Sequence, residues 1–171
     1  GSTFLFDVAN TVLVNCILKI ADSANAGVSV AAPITVSAAG CAIIGCQIRA
    51  DGDANDLATV GITVTSTDFS FLHNDVFMAT AAVCTTFLRL NGATRAKIIG
   101  NRIVGATSAV AIGLVQFITA DSLNIQMEDN WIQNMVAVSE AAVSVSRVAV
   151  AVTAAVNVVW STCTCPWTAA G

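Results

Sequence analysis

The side chains best suited to chemistry in this sequence stand near the middle of the chain. His73 and Asp75 are separated by one residue, Arg102 follows, and Asp129 and Trp131 are again separated by one residue. A histidine can act as a base, an arginine can hold an anion through paired N–H groups, and a tryptophan face can stack on a sugar ring. We therefore predict a candidate ligand patch of His73, Asp75, Arg102, Asp129 and Trp131, provided that the fold brings them together.

A second set of candidate side chains lies in the segment DGDAND at 51–56. Asp51, Asp53 and Asp56 supply carboxylate oxygens, which are the ligands that calcium prefers. The EF-hand pattern is not met because its closing glutamate is missing, and an ordinary solvated turn between strands is the alternative interpretation. We keep these three residues as a candidate calcium site and predict no cofactor and no other metal site.

The cysteines do not form a metal-binding pattern. They are Cys16, Cys41, Cys46, Cys84, Cys163 and Cys165. The CxxC pairs of zinc sites are missing, and the single histidine of the chain cannot complete such a set. We predict reduced, buried thiols that pack as small apolar side chains.

The composition narrows the classes of function. Of the 171 residues, 56% are hydrophobic and 11% are charged. No uninterrupted apolar run reaches the roughly 18 residues of a spanning helix, so we predict no membrane span. The net charge of −4 argues against a nucleic-acid partner. So apolar a chain must hide its surface in a large core and in neighbouring subunits, which predicts a homo-oligomer, with a trimer favoured over a dimer.

A short pattern returns along the chain at a steady interval. It alternates apolar and other residues around a central position, and its five copies centre on Cys16, Cys46, Asn74, Asn101 and Asn130. The intervals are 30, 28, 27 and 29 residues. A steady period in this range predicts a repeat architecture, and the alternation predicts strands rather than helices. Equivalent strands must then stack in parallel, about 4.8 Å apart.

This pattern resembles the repeats of the right-handed parallel β-helix of the pectate-lyase-like superfamily, which often read I-x-x-N-x-I or G-N-x-I. The resemblance covers about residues 12–148. It implies an all-β fold, a single-stranded right-handed parallel β-helix of about five to six coils. It also implies that the central residues form an inward structural ladder, in which Asn side chains bond to one another and to the backbone. Cys16 and Cys46 depart from the Asn pattern, but a thiol is small enough for such a position.

The register of the repeat also predicts which side chains point inward and outward. The predicted inward residues are Ile44, Ile48, Leu72, Val76, Ile99, Ile103 and Ile132. The predicted outward columns are Ile17, Gln47, Asp75, Arg102 and Trp131 in one, and Asn15, Gly45, His73, Gly100 and Asp129 in the other. These two columns bring the candidate ligand patch together on one flat face.

The patch has two interpretations. The resemblance implies a face on which Arg and carboxylates hold acidic sugars. The alternative is a surface ion pair of Asp75 and Arg102, with Trp131 covering a seam. Asp75 and Asp129 would stand two coils apart, roughly 10 Å, which is marginal for a pair of hydrolytic carboxylates. We therefore predict no catalytic residue and no enzymatic activity.

Residues 1–148 are predicted to form the coils, and residues 149–171 a terminal strand plus a cap or subunit-contact tail. The leading functional hypothesis is a non-catalytic structural module of a larger assembly, a phage or virus particle component such as a tail spike, fibre or capsid decoration protein. It would bind copies of itself, and other virion or surface proteins at the coil ends. The alternatives are a carbohydrate-active β-helix enzyme or a fragment of one, and a cell-surface adhesin in an extracellular location.

Overall fold

In the computed structural model, the chain is built from short strands joined by tight corners. The structure describes residues 4–19, 34–50, 60–78, 86–105, 115–118, 124–134, 143–146 and 158–161. The strands are β1 (Phe4–Phe6), β2 (Val12–Val14), β3 (Ile17–Lys19), β4 (Ile34–Val36), β5 (Ala42–Ile44), β6 (Gln47–Ala50), β7 (Val60–Val64), β8 (Ser70–Leu72), β9 (Asp75–Met78), β10 (Thr86–Asn91), β11 (Lys97–Ile99), β12 (Arg102–Gly105), β13 (Val115–Ile118), β14 (Ile125–Glu128), β15 (Trp131–Asn134), β16 (Val143–Ser146) and β17 (Val158–Ser161). These residues include no helix, and hence none of the length and hydropathy needed to cross a membrane.

The strands form three sheets in which neighbours are parallel. Sheet A contains β1, β4, β7, β10, β13 and β16; sheet B contains β2, β5, β8, β11, β14 and β17; sheet C contains β3, β6, β9, β12 and β15. The chain visits A, B and C in turn and then returns to A. We call each such passage a coil, so that coil 1 begins at β1 and coil 5 at β13. The predicted all-β class with stacked parallel strands is confirmed at this level, and the arrangement is compatible with a β-helix-like fold.

The inward side chains of successive coils stack in apolar columns. These columns are Phe6, Val36, Val64 and Leu90 in sheet A, Ile43, Phe71, Ile98 and Met127 in sheet B, and Ile48, Val76 and Ile103 in sheet C. Each of them is 1% exposed or less. Two rings pack against Phe71, with centroids 6.4 Å away for Phe69 and 6.0 Å away for Phe87. Each buried apolar side chain of this size stabilises the fold by about 1.5–3 kcal/mol.

In each of the first five coils, one corner residue between sheets A and B and one between sheets B and C take the left-handed backbone conformation and turn the chain. Between sheets A and B they are Asn10, Gly40, Asp68, Arg95 and Asn124; between sheets B and C they are Asn15, Gly45, His73, Gly100 and Asp129. Their φ angles lie between 51° and 72°. Gly, Asn and Asp adopt this conformation at least cost, which explains why these types dominate both corner columns.

One part of the inward prediction is wrong. The residues concerned are Ile44, Leu72 and Ile99, which are half-buried on the outer face of sheet B. Each of them directly follows a fully buried residue, Ile43, Phe71 and Ile98 respectively. The prediction continued the period of two across the corner, but the left-handed residue at 45, 73 or 100 turns the chain and interrupts that alternation. The side chain of Ile132 lies outside the described residues.

The terminal segment contributes one described strand. Within 149–171 the structure describes 158–161, where β17 pairs with β14 and places Trp160 opposite Met127 in the backbone register. This pairing joins the segment to sheet B. The boundary at residue 148 and the capping role of the tail stay predictions.

Candidate functional site

The predicted patch residues lie on the outer face of sheet C and at the corner that precedes it. Asp75, Arg102 and Trp131 are direct neighbours, because β9 pairs with β12 and β12 with β15 in this register. His73 and Asp129 stand two residues earlier in the corner column, with φ angles of 53° and 51°. The structure therefore brings all five residues to one side of coils 3, 4 and 5.

Asp75 is the centre of this patch. Its Oδ1 accepts a hydrogen bond from Arg102 Nη1 at 2.8 Å, and its Oδ2 accepts one from Arg49 Nη2 at 3.2 Å. The Asp75 side chain is 37% exposed, and those of Arg49 and Arg102 are 31% and 56% exposed. Ion pairs so open to solvent contribute about 0–1 kcal/mol each. The cluster links coils 2, 3 and 4 and carries more positive than negative charge.

Sequence reasoning missed Arg49. Only the outward columns through Asp75 and through His73 were considered, whereas Arg49 lies two residues beyond Gln47 on β6. Since side chains two apart on a strand share a face, the alternation from Gln47 was the signal that places Arg49 beside Asp75. Arg49 also lies over the ring of Phe77, with its guanidinium carbon 5.7 Å from the ring centroid, a cation–π distance.

His73 rests against the next coil at Gly100. A Cβ added at Gly100 would collide with Nδ1 of His73. The same relation holds two coils lower, where a Cβ at Gly45 would meet Oδ1 of Asn15. Glycine suits position 100 because its φ of 65° is left-handed and because the imidazole occupies the space that a Cβ would need. The histidine packs along the coil axis in this corner column.

The patch combines a three-residue ion-pair cluster with an exposed aromatic ring. Asp75 accepts a guanidinium N–H on each of its oxygens, so both oxygens have a hydrogen-bond partner within the patch. Asp129 stands two coils away from Asp75, roughly 10 Å at the usual strand spacing. Arginine N–H groups beside an exposed Trp131 are suited to an anionic or sugar ligand.

A second set of polar residues lies inside the molecule. Asn74, Asn101 and Asn130 are 2%, 1% and 1% exposed and occupy equivalent positions in coils 3, 4 and 5. Asn101 Oδ1 accepts both the backbone N–H and the side-chain N–H of Asn74, at 2.9 and 3.0 Å. Asn130 Oδ1 accepts the same two groups of Asn101, at 3.0 and 2.9 Å. The side chains thus form a continuous chain of hydrogen bonds between coils.

Each Asn amide also donates back to the main chain of the coil before it. The Nδ2 groups of Asn74, Asn101 and Asn130 donate to the carbonyls of Ile43, Phe71 and Ile98, at 3.0, 2.8 and 2.6 Å. This satisfies amide groups that would cost about 1–3 kcal/mol each if they were buried without partners. We call these three residues the Asn column.

Cys16 and Cys46 continue the column through coils 1 and 2. The Cys46 N–H donates to Oδ1 of Asn74 at 2.9 Å, so the column begins with a backbone group of coil 2. The Cys46 thiol is 3.7 Å from the Leu13 carbonyl, which is the position that an Asn amide uses in later coils. Its nearer acceptor is the Ile44 carbonyl at 3.4 Å. Cys46 is 1% exposed, whereas Cys16 is only half-buried, and both thiols are free.

The corner between sheets A and B carries an ion pair that the sequence analysis did not identify. Arg95 donates from Nε to Asp68 Oδ1 at 2.7 Å and from Nη2 to Oδ2 at 2.6 Å. These hydrogen bonds from Arg95 lower the pKa of Asp68 from its ordinary value of 3.8 and raise that of Arg95. The signal was the repeat interval itself, since Asp68 and Arg95 are equivalent corner residues of coils 3 and 4.

The candidate calcium residues Asp51, Asp53 and Asp56 lie outside the described residues, and that prediction is untested. Within the ranges that the structure describes, no three His, Cys, Asp or Glu side chains come together as a metal-binding group.

Compared with known protein families, with curated proteins and with solved structures, the chain finds no match.

Proposed function

We propose that the protein is a non-catalytic structural module, a right-handed parallel β-helix rod of the pectate-lyase-like kind. The observation that carries this proposal is the direction of its polar contacts, which run from coil to coil. Asn101 bonds to Asn74 and Asn130 in the neighbouring coils, and Asp75 is held by arginines of the coils before and after it. Side chains bound in this way stiffen the stack of coils.

The proposed module functions in a homo-oligomer. Its outer face on sheet B supports this, because the column Val14, Ile44, Leu72 and Ile99 is apolar and at least partly exposed in four successive coils. A sheet that faces water normally alternates apolar inside with polar outside. We propose that this column packs against neighbouring copies around the rod axis, with a trimer as the favoured number. The mean hydropathy of +0.77 supports burial beyond that of a monomer.

The proposed setting is a phage or virus particle, in a tail spike, fibre or capsid decoration role. A cell-surface adhesin would use the same properties. Analytical ultracentrifugation tests the assembly, with an oligomer expected for the wild type and a smaller species for Ile44→Glu. Lys97→Glu, on β11 of the same sheet, is the control. Immunogold labelling of purified particles and of intact cells separates the two settings, and a clean monomer at micromolar concentration removes the support for both.

A carbohydrate-active protein is the second candidate, and a specific observation favours it. Trp131 is 43% exposed and lies directly opposite Arg102 in the pairing of β15 with β12. The test incubates the protein, with and without calcium, with neutral and uronate-containing polysaccharides. We expect no release of reducing or unsaturated ends. Release that is abolished by Asp75→Ala or Arg102→Ala would replace the structural proposal with an enzyme.

A further inference from the structure

Two cysteines lie one above the other at the corner between sheets B and C. Cys16 of coil 1 and Cys46 of coil 2 occupy the position that Asn74 holds in coil 3, and both pack against the apolar core. The register is the same on both sides of this corner, because β2 pairs with β5 and β3 with β6 at an interval of 30 residues. The Gln47 N–H donates to the Cys16 carbonyl at 2.9 Å, so the backbones stay paired through the corner. The Cα atoms of the two cysteines are therefore about 4.8 Å apart, the usual strand spacing.

This spacing lies within the range of disulfides, whose Cα atoms are roughly 4.4 to 6.8 Å apart. Cys16 Sγ lies 3.3 Å from the carbonyl oxygen of Val14. Cys46 Sγ lies 3.4 Å from the equivalent carbonyl of Ile44 and 3.7 Å from that of Leu13 in coil 1. The two thiols therefore point to the same side of the corner, and the Cys46 sulfur reaches towards coil 1. Both sulfurs can leave these carbonyls at little cost, because S–H is a weak donor.

Cys41, the remaining described cysteine, has no partner of this kind. It precedes β5 whereas Cys46 follows it, so the three residues of the strand hold the two cysteines roughly 10 Å apart. Its neighbours in the adjoining coils are Thr11 and Phe69, so Cys16 is likewise a strand length away from it. A disulfide needs Cα atoms within about 7 Å. Among the described cysteines, Cys16 and Cys46 are thus the pair that can bond.

We propose that Cys16 and Cys46 form a reversible disulfide that joins coils 1 and 2 under oxidising conditions. The bond belongs to one chain, so it does not depend on the proposed assembly. It lies where the central column has thiols in place of amides. Among the described side chains, the Asn column begins by binding the N–H of Cys46 and does not reach coil 1. The disulfide would extend the coupling between coils by a covalent bond.

The oxidant is a small disulfide such as oxidised glutathione. The thiolate of one cysteine attacks it, forms a mixed disulfide and releases one glutathione thiol. The second cysteine attacks the mixed disulfide and releases the other. The two protein thiols lose two protons and two electrons, and the glutathione disulfide is reduced to two thiols. Because Cys46 is 1% exposed, the exchange takes place during folding, before the column closes.

The geometry also makes the bond easy to reduce. Parallel neighbours keep their Cβ atoms near the strand spacing of about 4.8 Å, whereas a relaxed disulfide holds them roughly 3.8 Å apart. Forming the bond pulls the two coils together, and strain of this kind raises the reduction potential above that of a permanent structural disulfide. The pair therefore responds to the compartment, and coils 1 and 2 are cross-linked in an oxidising one.

The test uses a background variant in which the cysteines outside the described residues are replaced, Cys84→Ser/Cys163→Ser/Cys165→Ser. This protein is refolded at increasing ratios of oxidised to reduced glutathione, alkylated in denaturant and analysed by mass spectrometry. In the oxidised protein we expect Cys41 alone to be alkylated, and a peptide in which Cys16 is linked to Cys46. Dithiothreitol should return all three thiols. Adding Cys41→Ser, the matched control, should keep the link, and adding Cys16→Ser should abolish it.

Thermal unfolding shows whether the bond fits the folded coils. The oxidised background variant is expected to melt a few degrees above the reduced one, because the link closes a loop of about 30 residues in the unfolded chain. Adding Cys46→Ser should remove this difference between oxidised and reduced samples. Three alkylated thiols at every glutathione ratio, or a link that involves Cys41, would overturn the proposal. A link that joins two chains, or one that leaves the melting temperature unchanged, would also overturn it.

Discussion

Coils 1 and 2 and coils 3 to 5 form the same corner between sheets B and C with different side chains. In all five the corner residue has a left-handed backbone, and the central residue follows it, Cys in the first two coils and Asn in the next three. The backbone register continues unchanged across the boundary, since β5 pairs with β8 as β8 pairs with β11. Backbone geometry therefore defines the corner, whether the inner side chain is a thiol or an amide.

The difference lies in how the coils are coupled. Asn101 donates two hydrogen bonds through its amide and accepts two through Oδ1, all within 3.0 Å. The Cys46 thiol has carbonyls at 3.4 and 3.7 Å, and S–H is a weak donor. Burial of the column decreases in the same direction, since Cys46 is fully buried and Cys16 is only half-buried. We infer that coupling between coils is strong where the Asn column runs and weaker towards coil 1.

The largest effect is expected for Asn101→Leu. This change removes the acceptor of the Asn74 N–H groups and the donors to Phe71 and Asn130. Since each buried polar group without a partner costs about 1–3 kcal/mol, the free energy of unfolding is expected to fall by about 3–5 kcal/mol. Urea denaturation followed by circular dichroism measures it.

Cys46→Ala is the matched control in the thiol part of the column. It removes weak S–H contacts and little volume, so a loss of about 1 kcal/mol is expected. Equal losses at the two positions would show that the Asn column adds nothing to the coupling that the backbone already provides.

The sequence predicted the repeat, the parallel strands and the residues of the inward column, because these depend on a period that can be read directly. It failed where the period is interrupted. Ile44 looks like an inward residue only if the alternation continues through Gly45, and the left-handed conformation of Gly45 interrupts it. The exposed corner columns have no apolar signature, so their ion pair of Asp68 and Arg95 was missed.

The next prediction concerns the left-handed glycine corner between sheets B and C, which occurs both in coil 2 and in coil 4. Gly100→Ala and Gly45→Ala both force a Cβ into a left-handed backbone and against the side chain of the coil before, His73 or Asn15. We expect similar losses of about 1–2 kcal/mol in both regions, because the backbone demand is the same. Thermal unfolding compares the two variants. Adding His73→Ala to Gly100→Ala should recover part of the lost stability, because it removes the side chain that the new Cβ meets. If Gly100→Ala lowered stability and Gly45→Ala did not, the corners of the two regions would not have the same backbone requirement.

Cys46→Asn should extend the hydrogen bonds of the Asn column from coils 3 to 5 into coil 2. An amide at this position can donate to Asn74 Oδ1 and to the Leu13 carbonyl, as Asn74 donates to Asn101 Oδ1 and to the Ile43 carbonyl one repeat further along. We expect the free energy of unfolding to rise by about 1 kcal/mol, the net value of a buried hydrogen bond. Cys46→Leu, of similar size but without polar atoms, is the control. A loss of stability in Cys46→Asn would show that coil 2 cannot accept the column.

The smallest effect is expected at the outer corner. The pKa of Asp68 is lowered from 3.8 by its hydrogen bonds from Arg95. The ion pair therefore stabilises the protein above that pH, and the contribution is lost as acid protonates the carboxylate. Asp68→Asn keeps a residue that tolerates φ of 59°. It should lower the melting temperature slightly near neutral pH and leave it unchanged at about pH 2. If the difference in melting temperature between the wild type and Asp68→Asn grew as the pH falls, the lowered pKa of Asp68 would not stabilise the folded protein, and the ion pair would not be its cause.

The sequence predicted the positions of the five patch residues, but not all of the ion pairs that Asp75 makes. The register placed His73, Asp75, Arg102, Asp129 and Trp131 on one side of the molecule, because stacked coils align residues at a fixed interval. The same alternation places Arg49 on this face, but its contact with Asp75 depends on the reach of a long side chain from another column. Position follows from periodicity, whereas contact depends on rotamers.

The most direct test of the Asn column is amide hydrogen exchange in the native protein. The N–H groups of Cys46, Asn74 and Asn101 each donate to an Asn Oδ1 of the following coil, at 2.9 to 3.0 Å. We expect these three amides to exchange only through global unfolding, and the Cys16 amide in coil 1 to exchange much faster. If the Asn74 and Asn101 amides exchanged as fast as the Cys16 amide, the coils would not be joined through the Asn column.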